Sequence, residues 1–400
     1  MCCWIRVQTQ PAPWSSPPEV PEAPDPLSGD AIAEIFRRGR EVQEERGGTT
    51  GAELVHSELP AEQWGVSQDQ LADLAKELHS LVEMRSLTNR SKNDCRQRKV
   101  PFYEESKFWD VTIGPNMYQV NESHIQPLTR KKDPCHGIPC LSYALHCNSD
   151  GLSCDLFVSH AWSEGIFELS NTVVQNWPDG CIGAYICSLA NPQNLPELMS
   201  HMIETPSQSP FFRVLISRPK RLLMIANSNV PIHSRLWCVY EAHCARTLGI
   251  TTAVLGDPAH FATNRWASGA ATRAVKAAVR ARRRELAIAD AMESAAADMD
   301  IMAAGMYLRR FERWGKRAER STARATERMK RALDVRKATC SRPEDGEAIR
   351  MEIRNYSDEI NSMICELIIK DQLQRAPAGP YKLTWYPGQD LIEGLCIFFQ

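Results

Sequence analysis

Residues 154–159 read Cys-Asp-Leu-Phe-Val-Ser, a short apolar run that is followed by a turn and a helical pattern. Three further apolar runs follow at 181–190, 221–226 and 250–255, and none of them alternates between apolar and polar residues. Such runs, separated by helices, are typical of parallel strands that are covered on both faces. The sequence therefore predicts an α/β domain over residues 150–258, with a mostly parallel sheet of four or five strands covered by helices on both faces.

The segments between these runs have the spacing of helices. Ser163 can cap the first of them, Pro210 after Ser209 is a good helix start, and Gly249 can end the last. The predicted helices cover residues 164–177, 194–204, 210–216 and 234–248.

Two regions precede the α/β domain. Residues 1–30 contain seven prolines, a density that favours an extended and solvated tail. Residues 31–149 form a lead-in that we expect to pack on the core, with helical patterns at 30–44 and 67–84. In the second pattern Ser67 or Asp69 can cap, and one apolar stripe recurs at three- and four-residue spacing, formed by Leu71, Leu74, Leu78, Leu81 and Val82.

A helical extension follows the α/β domain over residues 259–375, and a tail occupies 376–400. Residues 264–337 lack proline. They include a seam of small and flexible side chains, which is suited to close helix packing and is formed by Ala289, Met292, Ala296, Met299, Ala303 and Met306. The same stretch holds 19 Lys or Arg against 9 Asp or Glu. We interpret it as a salt-bridged, solvated surface; binding of nucleic acid or an anionic membrane is the alternative. A turn and helix cap at 341–345 precede a last helix at 347–373.

Composition places the chain among ordinary globular proteins. Charged residues make up 24% and apolar residues 43%, and the formal net charge is −2. That charge gives no global reason to bind nucleic acid or an anionic membrane. The 14 cysteines are dispersed, so we expect reduced thiols. No uncharged apolar run approaches the roughly 18 residues of a membrane span, and we expect a cytoplasmic protein.

Several common site motifs are missing. The first strand–helix junction, residues 159–165, holds neither a dinucleotide-binding G-x-G-x-x-G nor a P-loop, which argues against a Rossmann dehydrogenase and a P-loop NTPase. The zinc-type donors lack a C-x-x-C pair, so no metal site is predicted from Cys135, His136, Cys140, His146, Cys147 and Cys154.

The junction after the third run carries the candidate catalytic group. Glu241 lies one helical turn beyond Trp237, so both project from one face of a helix near the sheet end where α/β folds bind ligands. A carboxylate beside an aromatic floor can stabilise a sugar oxocarbenium ion. Alternatively, Glu241 pairs with a neighbouring arginine and Trp237 belongs to the core.

Two motifs give the chain a resemblance to a known family. The chain resembles TIR (Toll/interleukin receptor) domains at two places, in the same order as in that family. The first strand of the family resembles Asp155-Leu156-Phe157-Val158-Ser159-His160, and its fourth helix resembles Ser234-x-x-Trp237-Cys238-x-x-Glu241. The chain is also similar to uncharacterised TIR-like proteins of protists such as dinoflagellates. This similarity covers F-V-S-H-x-W, residues 184–191 and R-L-W-C-V-Y-E. Residues 116–121 and 340–345 extend that similarity outside the α/β core.

The resemblance implies a candidate site. In TIR domains that hydrolyse NAD⁺, the glutamate of the W-x-x-x-E motif is catalytic, which implies Glu241 here, with His160, Trp162, Trp237 and Ser234 as substrate-binding residues. NAD⁺ would be a substrate, and no cofactor or metal is expected. The family places polar or basic residues just after the first strand, where this chain has His160, Ala161 and Trp162.

Two functions follow from these observations. The first is a non-catalytic or weakly catalytic TIR-like signalling module that self-associates through its TIR-like domain or binds protein partners. The second is an NAD⁺ glycohydrolase with Glu241 as its catalytic carboxylate. The absent basic residues after the first strand favour the interaction module, and fold alone does not decide between the two.

Overall fold

The computed structural model describes residues 51–132, 138–256 and 265–374. A parallel sheet of four strands lies at the centre of this part of the chain, in the spatial order β2-β1-β3-β4. The strands are β1 (Cys154–Ser159), β2 (Gly183–Ile186), β3 (Arg221–Ile225) and β4 (Thr252–Leu255). This strand order is flavodoxin-like, and it confirms the predicted α/β class.

Helices of the lead-in cover the outer edge of the sheet. Val66 forms an antiparallel bridge to Ala184, so the free edge of β2 is capped by this segment. These helices are α1 (Gly51–Glu58), α2 (Gln68–Glu83), α3 (Lys92–Gln97), α4 (Glu105–Phe108), α5 (Met117–Val120), α6 (Gln126–Thr129) and α7 (Tyr143–Cys147). Ser67 caps α2 in a capping box with Gln70, which confirms the predicted second helix.

Five helices connect the strands: α8 (Ile166–Gln175), α9 (Cys187–Ala190), α10 (Pro196–Met202), α11 (Pro210–Ile216) and α12 (Leu236–Thr247). The predicted boundaries shift in three places. Gly165 precedes α8 in place of Ser163, and Arg235 precedes α12, so Ser234 lies one residue outside that helix. The apolar run at 181–190 contains β2 and then α9, because burial makes both elements apolar.

A long antiparallel helical hairpin follows β4. It consists of α13 (Arg265–Ala297) and α14 (Ile301–Ala332), and α14 is capped by the Asp300 side chain, which accepts from the Ala303 N–H at 2.9 Å. The predicted seam from Ala289 to Met306 is wrong as a continuous stripe. The chain reverses at 298–300, so Met299 is 73% exposed and Met306 is 39% exposed.

The last helices are α15 (Pro343–Ile353) and α16 (Ser357–Gln374), and α16 packs against β4 and both hairpin helices. Asp345, predicted in a turn, lies in the first turn of α15, and the predicted helix at 347–373 is interrupted between Ile353 and Ser357. Shorter helical turns complete the described fold: the 3₁₀ turns Ala61–Gln63, Pro206–Gln208, Ile232–Ser234 and Val335–Lys337, and the π turn Asn121–Ile125.

One hydrophobic core joins the lead-in, the sheet and the C-terminal helices. Within the described residues, the hairpin contributes to that core through buried residues within 271–278 and 325–332, at its base, and Val279 packs against it. Farther out, the buried side chains are that of Glu285 and those of alanines outside the core cluster: Ala281, Ala289, Ala295, Ala296 and Ala318.

Some predictions fall outside the described residues. These are the proline-rich tail at 1–30, the helical pattern at 30–44 and the tail at 376–400. Within the described residues, every helix is too short or too polar to cross a lipid bilayer.

Candidate functional site

A cluster of polar side chains lies at the carboxyl ends of the strands. His160 directly follows β1, Cys187 directly follows β2, and Asn227 lies two residues beyond β3. Because the strands are parallel, these three positions meet at one edge of the sheet. Strand order reverses between β1 and β3, and this is the place where open α/β folds bind ligands.

His160 is the centre of the cluster. Its Nδ1 lies 2.8 Å from Oε1 of Glu164, and both side chains have zero exposure; the contact is an ion pair that lacks the alignment of a hydrogen bond. Its Nε2 lies 3.2 Å from Sγ of Cys187 and 3.4 Å from Oγ of Ser188. Cys187 is partly exposed. A thiol, an imidazole and a carboxylate therefore stand in a row, as they do in sites that activate a nucleophile.

The charges of this row depend on one another. Burial lowers the pKa of His160, but a Cys187 thiolate and the Glu164 carboxylate raise it, and the net pKa lies well above the ordinary value. Burial raises the pKa of Glu164 to about 7, although His160 lowers it. The arrangement favours a protonated imidazole between two acidic groups.

Glu241 lies on α12 beside the same cluster. Only 4% of the residue is exposed, and burial raises its pKa to about 7, while the Ser159 hydroxyl and His160 lower it. Its Oε2 has no hydrogen-bonding partner within the described residues. On the same helix, the Cys238 thiol donates to the His160 carbonyl oxygen at 3.3 Å. Glu241 and His160 therefore lie close together, and Glu241 is enclosed.

The other predicted site residues make their contacts elsewhere. Trp237 is partly exposed, lies 4.8 Å from the Phe211 ring and donates through Nε1 to Asp345 at 3.4 Å. Ser234 donates from its hydroxyl to the Pro231 carbonyl oxygen at 2.7 Å. Trp162 is partly exposed and its ring lies 5.3 Å from that of Tyr118.

The crevice between β1 and β3 is bridged by side chains. The N–H and hydroxyl of Ser228 both donate to the Glu168 carboxylate, at 3.0 to 3.2 Å. Asn227 donates through Nδ2 to Glu164 at 3.4 Å, and Asn229 donates to the Ser163 carbonyl oxygen at 2.6 Å. These contacts tie the loop after β3 to the segment after β1 and cover the position where a ligand of this fold would enter.

Two surface cavities lie away from this edge. One, of about 370 Å³, lies at the opposite end of β1 and is lined in part by Cys154, Asp155 and Arg218. The other, of about 430 Å³, lies between the base of the hairpin and α16 and is lined in part by Arg336 and Asp358. Neither is lined by Glu241, His160 or Cys187.

Metal binding has no support in the described part of the chain. No group of three or more His, Cys, Asp or Glu there is arranged to hold a metal ion. Cys135 and His136, two of the zinc-type donors considered from the sequence, lie outside the described residues.

Sequence reasoning missed Cys187 and Glu164. A signal for Glu164 was present, because it follows His160 at a spacing of four residues, whereas Cys187 lies inside the apolar run at 181–190, in which the sequence does not mark the end of the strand. The chain matches no family model, no curated protein and no solved structure. Its function is therefore argued from the fold and from these contacts.

Proposed function

We propose that the chain is a TIR-like α/β interaction module that self-associates through its helical hairpin. The observation that carries this proposal is a cluster of large apolar side chains exposed at the end of the hairpin. Met299, Ile301 and Met302 are 73%, 77% and 85% exposed, and Met306 is 39% exposed. A local group of exposed apolar side chains on a projecting element is typical of a binding surface.

The conformation of the turn supports this interpretation. Met299 has a φ of 57°, in the left-handed region where glycine is favoured over a long side chain. This conformation ends α13, where the Met299 and Asp300 N–H groups donate to the Ala296 and Ala295 carbonyl oxygens. At this position the chain presents a flexible thioether to solvent, and methionine adapts well to a partner surface.

The charge distribution favours a second copy as the occupant of this surface. Residues 286–308, the hairpin tip, contain four acidic residues and no Lys or Arg. Residues 269–285 and 309–332, the hairpin stem, contain sixteen Lys or Arg and four Glu. The acidic tip of one molecule is complementary to the basic stem of another. An antiparallel pair satisfies both ends at once, as a two-fold symmetric interface does.

The length of the hairpin allows this arrangement. Helix α13 has 33 residues and α14 has 32, so each is about 50 Å long at 1.5 Å per residue. The outer part lies beyond the core residues at the base, and it is free to lie along a second hairpin.

Binding of the hairpin to an anionic membrane, the alternative, is disfavoured by the charge of the tip. The acidic residues of the tip, Asp298 and Asp300 among them, surround the exposed apolar side chains and would face anionic lipid.

Sedimentation velocity of the full chain at micromolar concentration tests the proposal. The chain has a mass of 45.1 kDa, and we expect a reversible dimer. Met302→Asp places a charge in the apolar contact and should shift the dimer dissociation constant upward by at least about tenfold. Asp298→Lys should weaken the dimer as well, and added salt should weaken the wild-type dimer because it screens the charges.

Met351→Asp is the matched control. Met351 lies on α15, away from the hairpin, and is 67% exposed. This variant should dimerise like the wild type. A wild type that stays monomeric, or a Met302→Asp variant that dimerises unchanged, would contradict the proposal. So would a monomer that pellets with vesicles of phosphatidylcholine and phosphatidylserine and loses this binding through Met302→Asp.

NAD⁺ hydrolysis by Glu241 is the second candidate. Its support is the position of Glu241 at the ligand-binding edge and a pKa of about 7, while its burial and the bridged crevice argue for a structural role. Nicotinamide release from NAD⁺, measured for the dimer-forming chain and for Glu241→Gln, distinguishes the two. We expect no release from either protein. Release that disappears in Glu241→Gln would establish the hydrolase.

A further inference from the structure

The row formed by Cys187, His160 and Glu164 has the geometry of an activated thiol. The imidazole contacts the sulfur through Nε2 at 3.2 Å, and its other nitrogen lies 2.8 Å from the Glu164 carboxylate. In this order the imidazole can take the thiol proton, and the carboxylate stabilises the imidazolium that results. We infer that Cys187 is a nucleophilic thiol that reacts with small electrophiles, hydroperoxides above all, with His160 as its proton acceptor and Glu164 as the positioning residue.

A reactive thiol must be exposed to its reagent, and Cys187 is the most exposed residue of the row. Cys187 is partly exposed, whereas the side chains of His160 and Glu164 are fully enclosed. An incoming reagent can therefore approach Cys187, while the ion pair behind it is protected from solvent and is weakly screened. This site is independent of the hairpin and of the proposed self-association.

Other groups near this row leave the assignment intact. Ser188 on α9 contacts Nε2, Glu241 on α12 interacts electrostatically with His160, and the Cys238 thiol contacts the His160 carbonyl oxygen. Ser159 contacts Cys238 and Glu241, and Glu168 on α8 lies near Glu164. Glu241 is acidic and so favours the charged imidazolium. Ser188 offers a second contact to Nε2 at 3.4 Å, which is longer than the contact of the Cys187 sulfur.

The other described cysteines have different surroundings. Burial raises the pKa of Cys244 to about 12, and it raises the pKa of Cys154 and Cys238 as well. Cys181 is partly exposed like Cys187, but burial and Asp155 raise the pKa of its thiol. Of the described cysteines, Cys187 is the one whose sulfur lies in hydrogen-bonding contact with a histidine nitrogen.

The size of the electrophile follows from the surroundings of Cys187. Within the described residues, hydrogen bonds between the loops after β1 and β3 bridge the crevice at this edge, and neither of the two cavities described above is lined by Cys187. A hydroperoxide needs access only to the sulfur atom. Small electrophiles are therefore the class that this site can accept.

The reaction with a hydroperoxide balances as one two-electron step. The Cys187 thiolate attacks the terminal peroxide oxygen, so an S–O bond forms while the O–O bond breaks. Sulfur is oxidised to a sulfenic acid, and the peroxide is reduced. The departing alkoxide or hydroxide takes the proton that His160 holds and leaves as an alcohol or water.

The test follows sulfenic acid formation at each cysteine of the full chain. Protein is treated with hydrogen peroxide at pH 6 and pH 8, sulfenic acid is trapped with dimedone, and labelled peptides are quantified by mass spectrometry. At pH 6 we expect Cys187 to react at least about tenfold faster than Cys181, because an ordinary thiol is almost entirely protonated there. The ratio of the two rates should be smaller at pH 8, where ordinary thiols begin to ionise.

Glu164→Gln tests the positioning role. In this variant the Cys187 rate should fall at pH 6 and rise with pH as the rate of an ordinary thiol does, whereas Asp73→Asn, at an exposed surface position, should leave the pH profile unchanged. Circular dichroism checks that both variants fold. If Glu164→Gln does not fold, the wild-type rates of Cys187 and Cys181 decide whether Cys187 is an activated thiol. Equal rates at pH 6, or an unchanged pH profile in folded Glu164→Gln, would overturn the inference.

Discussion

Nδ1 of His160 lies 2.8 Å from Oε1 of Glu164 at the carboxyl edge of the sheet, and neither side chain is exposed. A buried charge is costly unless an opposite charge accompanies it. The pair therefore favours a protonated imidazole inside the fold, and Glu164 also accepts from Asn227, in the loop after β3, at 3.4 Å. The same contact presents the other imidazole nitrogen to Cys187.

The first prediction concerns the titration of His160. Because Cys187 and Glu164 raise the pKa of His160 well above its ordinary value, its ring should remain protonated in the folded chain at pH 7.5. Glu164→Gln removes one of these anionic partners and should lower the titration midpoint by about one pH unit or more. Histidine ring chemical shifts, recorded by NMR across pH 5 to 9, measure both values. A midpoint that Glu164→Gln does not move would disprove the coupling.

The second prediction concerns stability and pH at Glu241. Burial raises the pKa of this carboxyl from 4.5 to about 7, so the folded state disfavours its charged form. The ionisation of this group therefore costs nothing well below pH 4.5 and lowers the free energy of unfolding increasingly as pH rises from 4.5 to 7. Integrated over that window, the loss is about 3 kcal/mol.

Glu241→Gln should remove this pH-dependent loss. At pH 8 the variant should be more stable than the wild type by up to about 3 kcal/mol, and near pH 4 the two should be nearly equal. Urea unfolding at both pH values measures the difference. A variant that is less stable at pH 8 would show that the Glu241 charge stabilises the native state.

The third prediction concerns a close backbone approach beside the candidate site. A Cβ placed on Gly165 would lie 2.0 Å from the Ile113 carbonyl oxygen. Gly165→Ala must therefore displace the backbone where Ile113 accepts hydrogen bonds from Phe167 and Glu168, and it should lower the free energy of unfolding by more than about 2 kcal/mol.

Gly305→Ala is the contrasting variant. Gly305 lies within α14 and has no atom within 4 Å of the added Cβ, so the substitution should raise stability by about 0.5–1 kcal/mol through helix propensity. Denaturant unfolding of both variants tests the pair. Equal effects of the two substitutions would refute the packing argument.

Much of the fold can be predicted from the sequence. The run at 154–159 is β1, and those at 221–226 and 250–255 contain β3 and β4, because strands buried on both faces need uninterrupted apolar residues. The reversal of the chain between the two hairpin helices, at 298–300, cannot be predicted from the apolar pattern, because alanine and methionine continue at helical spacing through it. The local signal was Asp300, whose side chain caps α14.

The candidate site is less accessible to sequence reasoning. The W-x-x-x-E spacing identifies Glu241, but its enclosure depends on loops that are distant in sequence, such as the one that places Ser228 against Glu168. Cys187 lies inside one continuous apolar run, so nothing local separates it from a core thiol. Its contact with His160 arises only because β1 and β2 are neighbours in the sheet.

The central claim is that the hairpin tip of one molecule lies against the stem of another, and photo-cross-linking measures this contact directly. Met302 is replaced by the photoreactive residue benzoylphenylalanine in the full chain, and isotopically light and heavy proteins are mixed before illumination. We predict light–heavy cross-links from position 302 to residues 269–285 or 309–332 of the other molecule. Cross-links confined to one chain, or made between two tips, would contradict the account.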